Sequence, residues 1–258
     1  MKRFRHNLFS LVFALTSVTA IAGARADAAA DRAAAQRYQA CLALVKRLPR
    51  DAFEEASAWA ALGGGAPAEH CAALSLHALG YYADAGGRLQ ALALKGTGGP
   101  ALQAELLAQA GQSWLMADFA GKAEAAFTEA IRVRGPDATL LMDRSEARAA
   151  QENYAGALDD LNLAIELDPL RSDAFVFRAS AKRLTGDTAG ALEDVERALR
   201  LDLIHPEGLL ERGILRRLAG DDAGARADWT KVLETAPQSG AADLARKNLE
   251  RLEIGPGD

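Results

Sequence analysis

Residues 156–169 read GALDDLNLAIELDP, residues 190–203 read GALEDVERALRLDL, and residues 224–237 read GARADWTKVLETAP. The interval is 34 residues each time, and KAEAAFTEAIRVRGP from Lys122 adds an earlier unit in the same register. A fixed period of this length marks a stack of like units, each packed only on its neighbours. The rest of the composition points to helix on helix. Half of the 258 residues are hydrophobic, but alanine carries much of that share and aromatics make up 6%. Alanine has the best helix propensity and lets helices approach closely. Long alternating runs rich in Val, Ile and Thr are absent after residue 30, which argues against a sheet sandwich.

The unit resembles the tetratricopeptide repeat, a helix-turn-helix of 34 residues. The resemblance covers residues 104–237, with repeats numbered from Ala104, Ala138, Ser172 and Pro206. The family has small residues at positions 8, 20 and 27, where the two helices of a hairpin touch. Here these are Gly111, Ala123 and Ala130; Ser145, Ala157 and Ala164; Ala179, Ala191 and Ala198; and Gly213, Ala225 and Val232. Position 24 takes a bulky apolar residue, here Phe127, Leu161, Val195 and Trp229. The sequence departs at position 4, where Leu107, Leu141, Phe175 and Leu209 replace the usual tryptophan. The resemblance implies an all-α fold: a right-handed superhelical solenoid of antiparallel helix hairpins with a C-terminal capping helix.

The turns agree with that reading. Gly186-Asp187 and Gly220-Asp221 end one helix and cap the next, and Asn153 caps in the repeat from Ala138. Asp168-Pro169 and Ala236-Pro237 close second helices, because proline cannot continue one. Arg144, Arg178 and Arg212 hold position 7, while Asp160, Asp194 and Asp228 hold position 23. A hairpin turning at position 15 sets positions 7 and 23 opposite each other. Their recurrence in three repeats reads as a ladder of structural ion pairs rather than as one reactive site.

The two ends differ from the repeats. Lys2, Arg3 and Arg5 precede an apolar run from Leu8 to Ala22 and the small-x-small sequence Ala24-Arg25-Ala26. That is the pattern of a secretory signal removed before Asp27, giving a periplasmic or secreted chain. The run is short for a membrane span. Without Lys2, Arg3, Arg5 and Arg25, 26 basic residues face 35 acidic ones, a net of −9. Such a chain suits neither nucleic acid nor an anionic membrane surface.

Residues 27–100 read as degenerate repeat-like hairpins, 101–237 as four repeats, and 238–258 as capping helix and tail. In the first segment, Gln36 to Leu48 forms a helix stopped by Pro49. Asp51 caps a second, which runs to Leu62 before Gly63-Gly64-Gly65. Glu69 to Leu79 and Tyr82 to Leu94 make a further pair, and Ala241 to Leu252 is the polar-faced capping helix. Cys41 and Cys71 are the only cysteines. In an exported chain an even count points to a disulfide, although two buried thiols would give the same count. With Ala56 and Ala85 as position 20 of two degenerate repeats, both cysteines fall on first helices of neighbouring units, where a bridge fits.

Little reads as chemistry. His70, Cys71 and His77 match no zinc spacing. The triplet at 63–65 lacks the lysine and serine of a phosphate loop, and no serine sits in a nucleophile elbow. No catalytic residue, metal or cofactor is expected. The resemblance instead implies binding along a concave surface lined by first helices, at positions 2, 5, 6, 9, 12 and 13. Those positions select Glu105, Gln109, Gln112, Met142, Asp143, Glu146, Asp173, Val176, Phe177, Arg183, Glu207, Leu210, Glu211, Ile214 and Arg217. Family members that hold C-terminal carboxylates use Lys and Asn there, and this chain has none at the matching positions. An apolar strip edged by acids suits a protein segment with apolar anchors and basic flanks. The alternatives are a structural or accessory subunit of an envelope assembly or export system, or an enzyme whose site the sequence does not advertise.

Overall fold

The computed structural model describes residues 30–96 and 98–254, so the signal segment lies outside the described residues. Among those residues all regular structure is helical: α1 (30–45), α2 (Pro49–Ala61), α3 (Gly65–Ala78), α4 (Tyr82–Leu94), α5 (Gly99–Met116), α6 (Ala120–Arg134), α7 (Ala138–Ala149), α8 (Tyr154–Leu167), α9 (Ser172–Leu184), α10 (Thr188–Leu201), α11 (Pro206–Leu218), α12 (Asp222–Thr235) and α13 (Gly240–Ile254). By packing, the chain divides into two units, Met1–Arg88 and Leu89–Asp258. The division falls within α4, before the glycine-rich stretch at 95–100.

In the first unit Cys41 and Cys71 are joined in a disulfide, with Cα atoms 6.3 Å apart. The bridge closes a separation of 30 residues, which on the chain-entropy model stabilises the unit by about 3–4 kcal/mol. Ala56 and Ala72 pack beside it, and the Arg37 guanidinium lies 5.0 Å from the centre of the Trp59 ring. One sequence expectation is corrected here. Asp51 does not cap α2; the helix opens at Pro49, with Leu48 at its N-cap. Proline fits a first helical turn because its missing N–H is one that has no helical partner there, so Pro49 both stops α1 and starts α2.

The second unit is a row of hairpins. α5 pairs with α6, α7 with α8, α9 with α10 and α11 with α12, and each first helix also packs on the next first helix. α13 closes the row against α11 and α12. Close approach within each hairpin is set by a compensation of size. Phe127 and Trp229, the two aromatic residues at position 24, face glycines at position 8. A Cβ on Gly111 would lie 2.6 Å from the Phe127 ring, and one on Gly213 would lie 2.3 Å from Trp229 Nε1. Where position 24 is the smaller Leu161 or Val195, position 8 is Ser145 or Ala179. Ala123, Ala157, Ala191 and Ala225 are fully buried at the second contact point. Interiors at crystal-like density leave no slack for a larger residue at either point.

The turns repeat a backbone demand as well. Position 15 has positive φ in all four repeats: Asp118 at 61°, Glu152 at 60°, Gly186 at 90° and Gly220 at 82°. Only glycine adopts that region without strain. The residue after it caps the second helix in three repeats. Asn153, Asp187 and Asp221 accept from the backbone N–H groups of Gly156, Gly190 and Gly224 at 3.1, 2.9 and 2.8 Å.

The ladder is denser than its two-residue pattern. Arg144, Arg178 and Arg212 each donate twice to Asp160, Asp194 and Asp228, through Nε and Nη2, at 2.6–2.9 Å. A second cation one turn along reaches the same carboxylates: Arg148 at 2.9 Å, Lys182 at 2.8 Å and Arg216 at 2.8 Å. The arginines also tie one repeat to the one before it. Arg178 donates to Asn162 at 2.9 Å, and Arg144 to Thr128 at 3.4 Å. The first repeat has Ala110 and Ala126 at the ladder positions, and Lys122 lies over its Trp114 ring instead.

The three aspartates are buried, so their removal strands two cations, a loss commonly about 3–5 kcal/mol. Arg178→Met keeps an apolar stem and leaves Lys182 on Asp194. Arg178→Ala also loses the contact with Phe175, whose ring centre is 5.6 Å from the guanidinium. Urea unfolding of the full chain is expected to rank the losses Asp194→Ala, then Arg178→Ala, then Arg178→Met. An Arg178→Met loss equal to that of Asp194→Ala would show that Lys182 does not hold the carboxylate.

Candidate partner-binding face

The first-helix face is built by α5, α7, α9 and α11, whose inward and outward positions follow from packing on their own second helices. Met142, Val176 and Leu210, expected to line the groove, are buried instead. All three hold position 5, and each packs in one core cluster with a second-helix residue of the preceding repeat. The pairs are Met142 with Ile131, Val176 with Ile165, and Leu210 with Leu199. Position 5 is thus the seam between repeats and is not available to a partner.

Arg183 and Glu211 are also taken. Arg183 Nε donates to Glu211 Oε1 at 2.5 Å, and Glu211 is only 6% exposed. Glu211 is therefore a clamp between α9 and α11, not an acid at the rim. His205 ties the same two helices. Its Nδ1 accepts the Gly208 N–H at 3.3 Å, which puts the proton on Nε2, and Nε2 donates to Asp173 at 2.9 Å. Phe177, Ile214 and Arg217 are half-buried, and Glu207 is exposed. These four keep surface on the face. Met116, Leu184 and Leu218 add to it as exposed apolar side chains at position 13, which sequence reasoning passed over although the position belongs to the face.

A cavity of about 160 Å³ opens on this face between α7 and α9. Ala157 and Leu161 of α8 form its floor; Ala149, Ser180 and Ala181 leave the space; Phe177, Leu184 and Glu146 stand at its sides. It exists because two positions are small here and large at the neighbouring joints. Position 12 is Leu115, Ala149 and Arg183 in successive repeats, and position 9 of the following helix is Glu146, Ser180 and Ile214.

Two acids on α7 are raised, Glu146 in the cavity lining and Asp143 on the side toward α5. Asp143 is pushed up to about 6 by burial first, then by repulsion from Glu146. Asp137 adds to the rise, while a hydrogen bond from Gln112 and the charge of Arg171 oppose it. Glu146 is open to solvent on one side, and partial burial against the apolar wall raises it as well. Elsewhere, Tyr38 Oη and His70 Nδ1 are hydrogen-bonded at 2.5 Å, and His77 meets the Tyr82 ring edge-on. Among the described residues no group of three or more His, Cys, Asp or Glu is placed to hold a metal ion, and no helix is long and apolar enough to cross a membrane.

No family model and no curated protein sequence matches the chain. Solved structures do. TTC0263, a thermophilic tetratricopeptide protein of Thermus thermophilus, is 21% identical, with a TM-score of 0.60 over 74% of this chain and 100% of its own. MamA is 16% identical, with a TM-score of 0.53 over 69% and 97%. YrrB, described as a tetratricopeptide protein with an unusual peptide-binding site, is 18% identical, with a TM-score of 0.52 over 77% and 98%. The fold is therefore the tetratricopeptide-repeat fold, a stack of helix hairpins.

The Asp143 carboxyl gives a test by pH. Its folded-state pKa lies above the ordinary 3.8, so between about 4 and about 6 the folded chain binds the extra proton. Its contribution to stability then falls as pH rises through that window. Asp143→Asn, which cannot ionise, is expected to be more stable than the natural chain at pH 7.5 and to match it near pH 4. Equal unfolding midpoints at both pH values would contradict the strained carboxylate.

Proposed function

We propose that the protein is a non-catalytic interaction scaffold of the periplasm or cell envelope, and that it takes a segment of a partner protein along the first helices α7, α9 and α11. The observation that carries this reading is the uncovered apolar surface of Phe177, Leu184, Ile214 and Leu218 on one face of the repeats. Apolar side chains exposed together on one face mark interaction sites more often than scattered ones do. The peptide-binding description of YrrB, similar in fold, supports the same use here. The envelope location rests on the basic n-region, apolar run and Ala24-Arg25-Ala26. Intact mass of exported protein is expected to begin at Asp27, and a mass retaining residues 1–26 would overturn that location.

A second reading has its own observation. Leu167, Leu170, Leu203 and Ile204 are exposed near the turns between repeats, where polar residues are usual. A structural subunit of an envelope assembly would dock through that edge. The two readings separate on binding to a partner recovered from envelope extract. Phe177→Ala and Ile214→Ala are each expected to weaken it at least ~10-fold, about 1.4 kcal/mol. Glu207→Lys is expected to act mainly on association rate at low salt. If these variants bind like the natural chain with unchanged melting, while Leu170→Ser or Leu203→Ser loses binding, the turn edge is the interface.

A further inference from the structure

We propose that the cavity between α7 and α9 is a two-part recognition pocket, which takes one apolar side chain of the partner segment together with a lysine or arginine beside it. This rests on the first-helix face being the binding face and names the chemistry of what binds there. The apolar half is a built space. Cavities of about 150 Å³ lined by aliphatic and aromatic side chains hold a benzene-sized group. The 160 Å³ here therefore suits one Leu-, Met- or Phe-sized side chain. Its walls are apolar apart from two serine hydroxyls and Glu146, and Ser145 already donates to the Met142 carbonyl at 2.7 Å.

The cationic half rests on Glu146, an acid in the cavity lining, at a joint that supplies no cation of its own. Between α9 and α11, the position 12 side chain is Arg183, and it neutralises the acid that faces it, Glu211. Between α7 and α9, position 12 is Ala149. Among the described residues no Lys or Arg forms an ion pair with Glu146, which itself lines the cavity. Partial burial raises the Glu146 carboxyl, which is the state an arriving cation reverses. An acidic segment would meet repulsion at the same place, so the pocket selects by charge as well as by size.

The test uses fluorescence anisotropy with the full mature chain and a fluorescein-labelled peptide in which Leu and Lys alternate. Two control peptides carry Ser in place of Leu, or Glu in place of Lys. The Leu–Lys peptide is expected to bind at least ~10-fold tighter than either control. Ala149→Leu, which fills the cavity and leaves every charge in place, and Glu146→Lys, at a solvent-open position, are each expected to lose at least ~10-fold. Equal binding of the Ser peptide would reduce the effect to surface charge and overturn the pocket; so would equal binding of the Glu peptide, or undiminished binding by a folded Ala149→Leu chain. Should Ala149→Leu not fold, Glu146→Lys decides alone. If Ile214→Ala weakens the extract-derived partner while Ala149→Leu does not, the binding face stands and the pocket falls.

Discussion

The two helices of each hairpin must lie nearly in contact, and the other features of the repeats are arranged around that demand. It removes side chains at positions 8 and 20 and couples their size to position 24, so that Gly213 serves Trp229 and Ala179 serves Val195. Helices held that close bring position 7 opposite position 23. There a carboxylate is buried with two cations rather than one. A bidentate arginine on a buried aspartate adds direction as well as energy, since it is satisfied in one geometry only. The same arginine reaches the previous hairpin through Asn162 or Thr128, so spacing within a repeat and spacing between repeats are fixed by one side chain.

Joints between first helices are closed by different means. Arg183 with Glu211 and His205 with Asp173 close the joint between α9 and α11. At the joint between α5 and α7, Leu115 holds position 12 and Gln112 hydrogen-bonds Asp143. The joint between α7 and α9 has Ala149 facing Ser180, and the space left is the cavity. The arginine that closes the next joint has no counterpart here, and Glu146 stands in the lining of an apolar space. Glu146 and Asp143 of α7 cost stability when ionised, because burial raises both carboxyls.

The hairpins, their turns and the ladder were legible in the sequence because each is specified within 34 residues and repeated. The second cation of the ladder was legible too, since Arg148, Lys182 and Arg216 recur at the same interval, but helix spacing of four residues from position 7 had to be applied to see it. The open part of the face was not legible. Whether a first-helix residue is exposed depends on what the neighbouring repeat sets against it. Met142, Val176 and Leu210 are apolar three times running because they fill a seam, which reads in sequence like a binding strip. Glu211 reads as a free acid until Arg183, 28 positions earlier, is seen to hold it.

The most direct measurement is site-specific photo-crosslinking of the full chain, with a photoreactive amino acid placed at Leu184 on the first-helix face or at Leu203 on the turn edge. Both residues are exposed, at 50% and 79%, so neither replacement disturbs the core. The account predicts that the chain labelled at Leu184 captures a partner protein and that the chain labelled at Leu203 does not. Capture from Leu203 with none from Leu184 would contradict it.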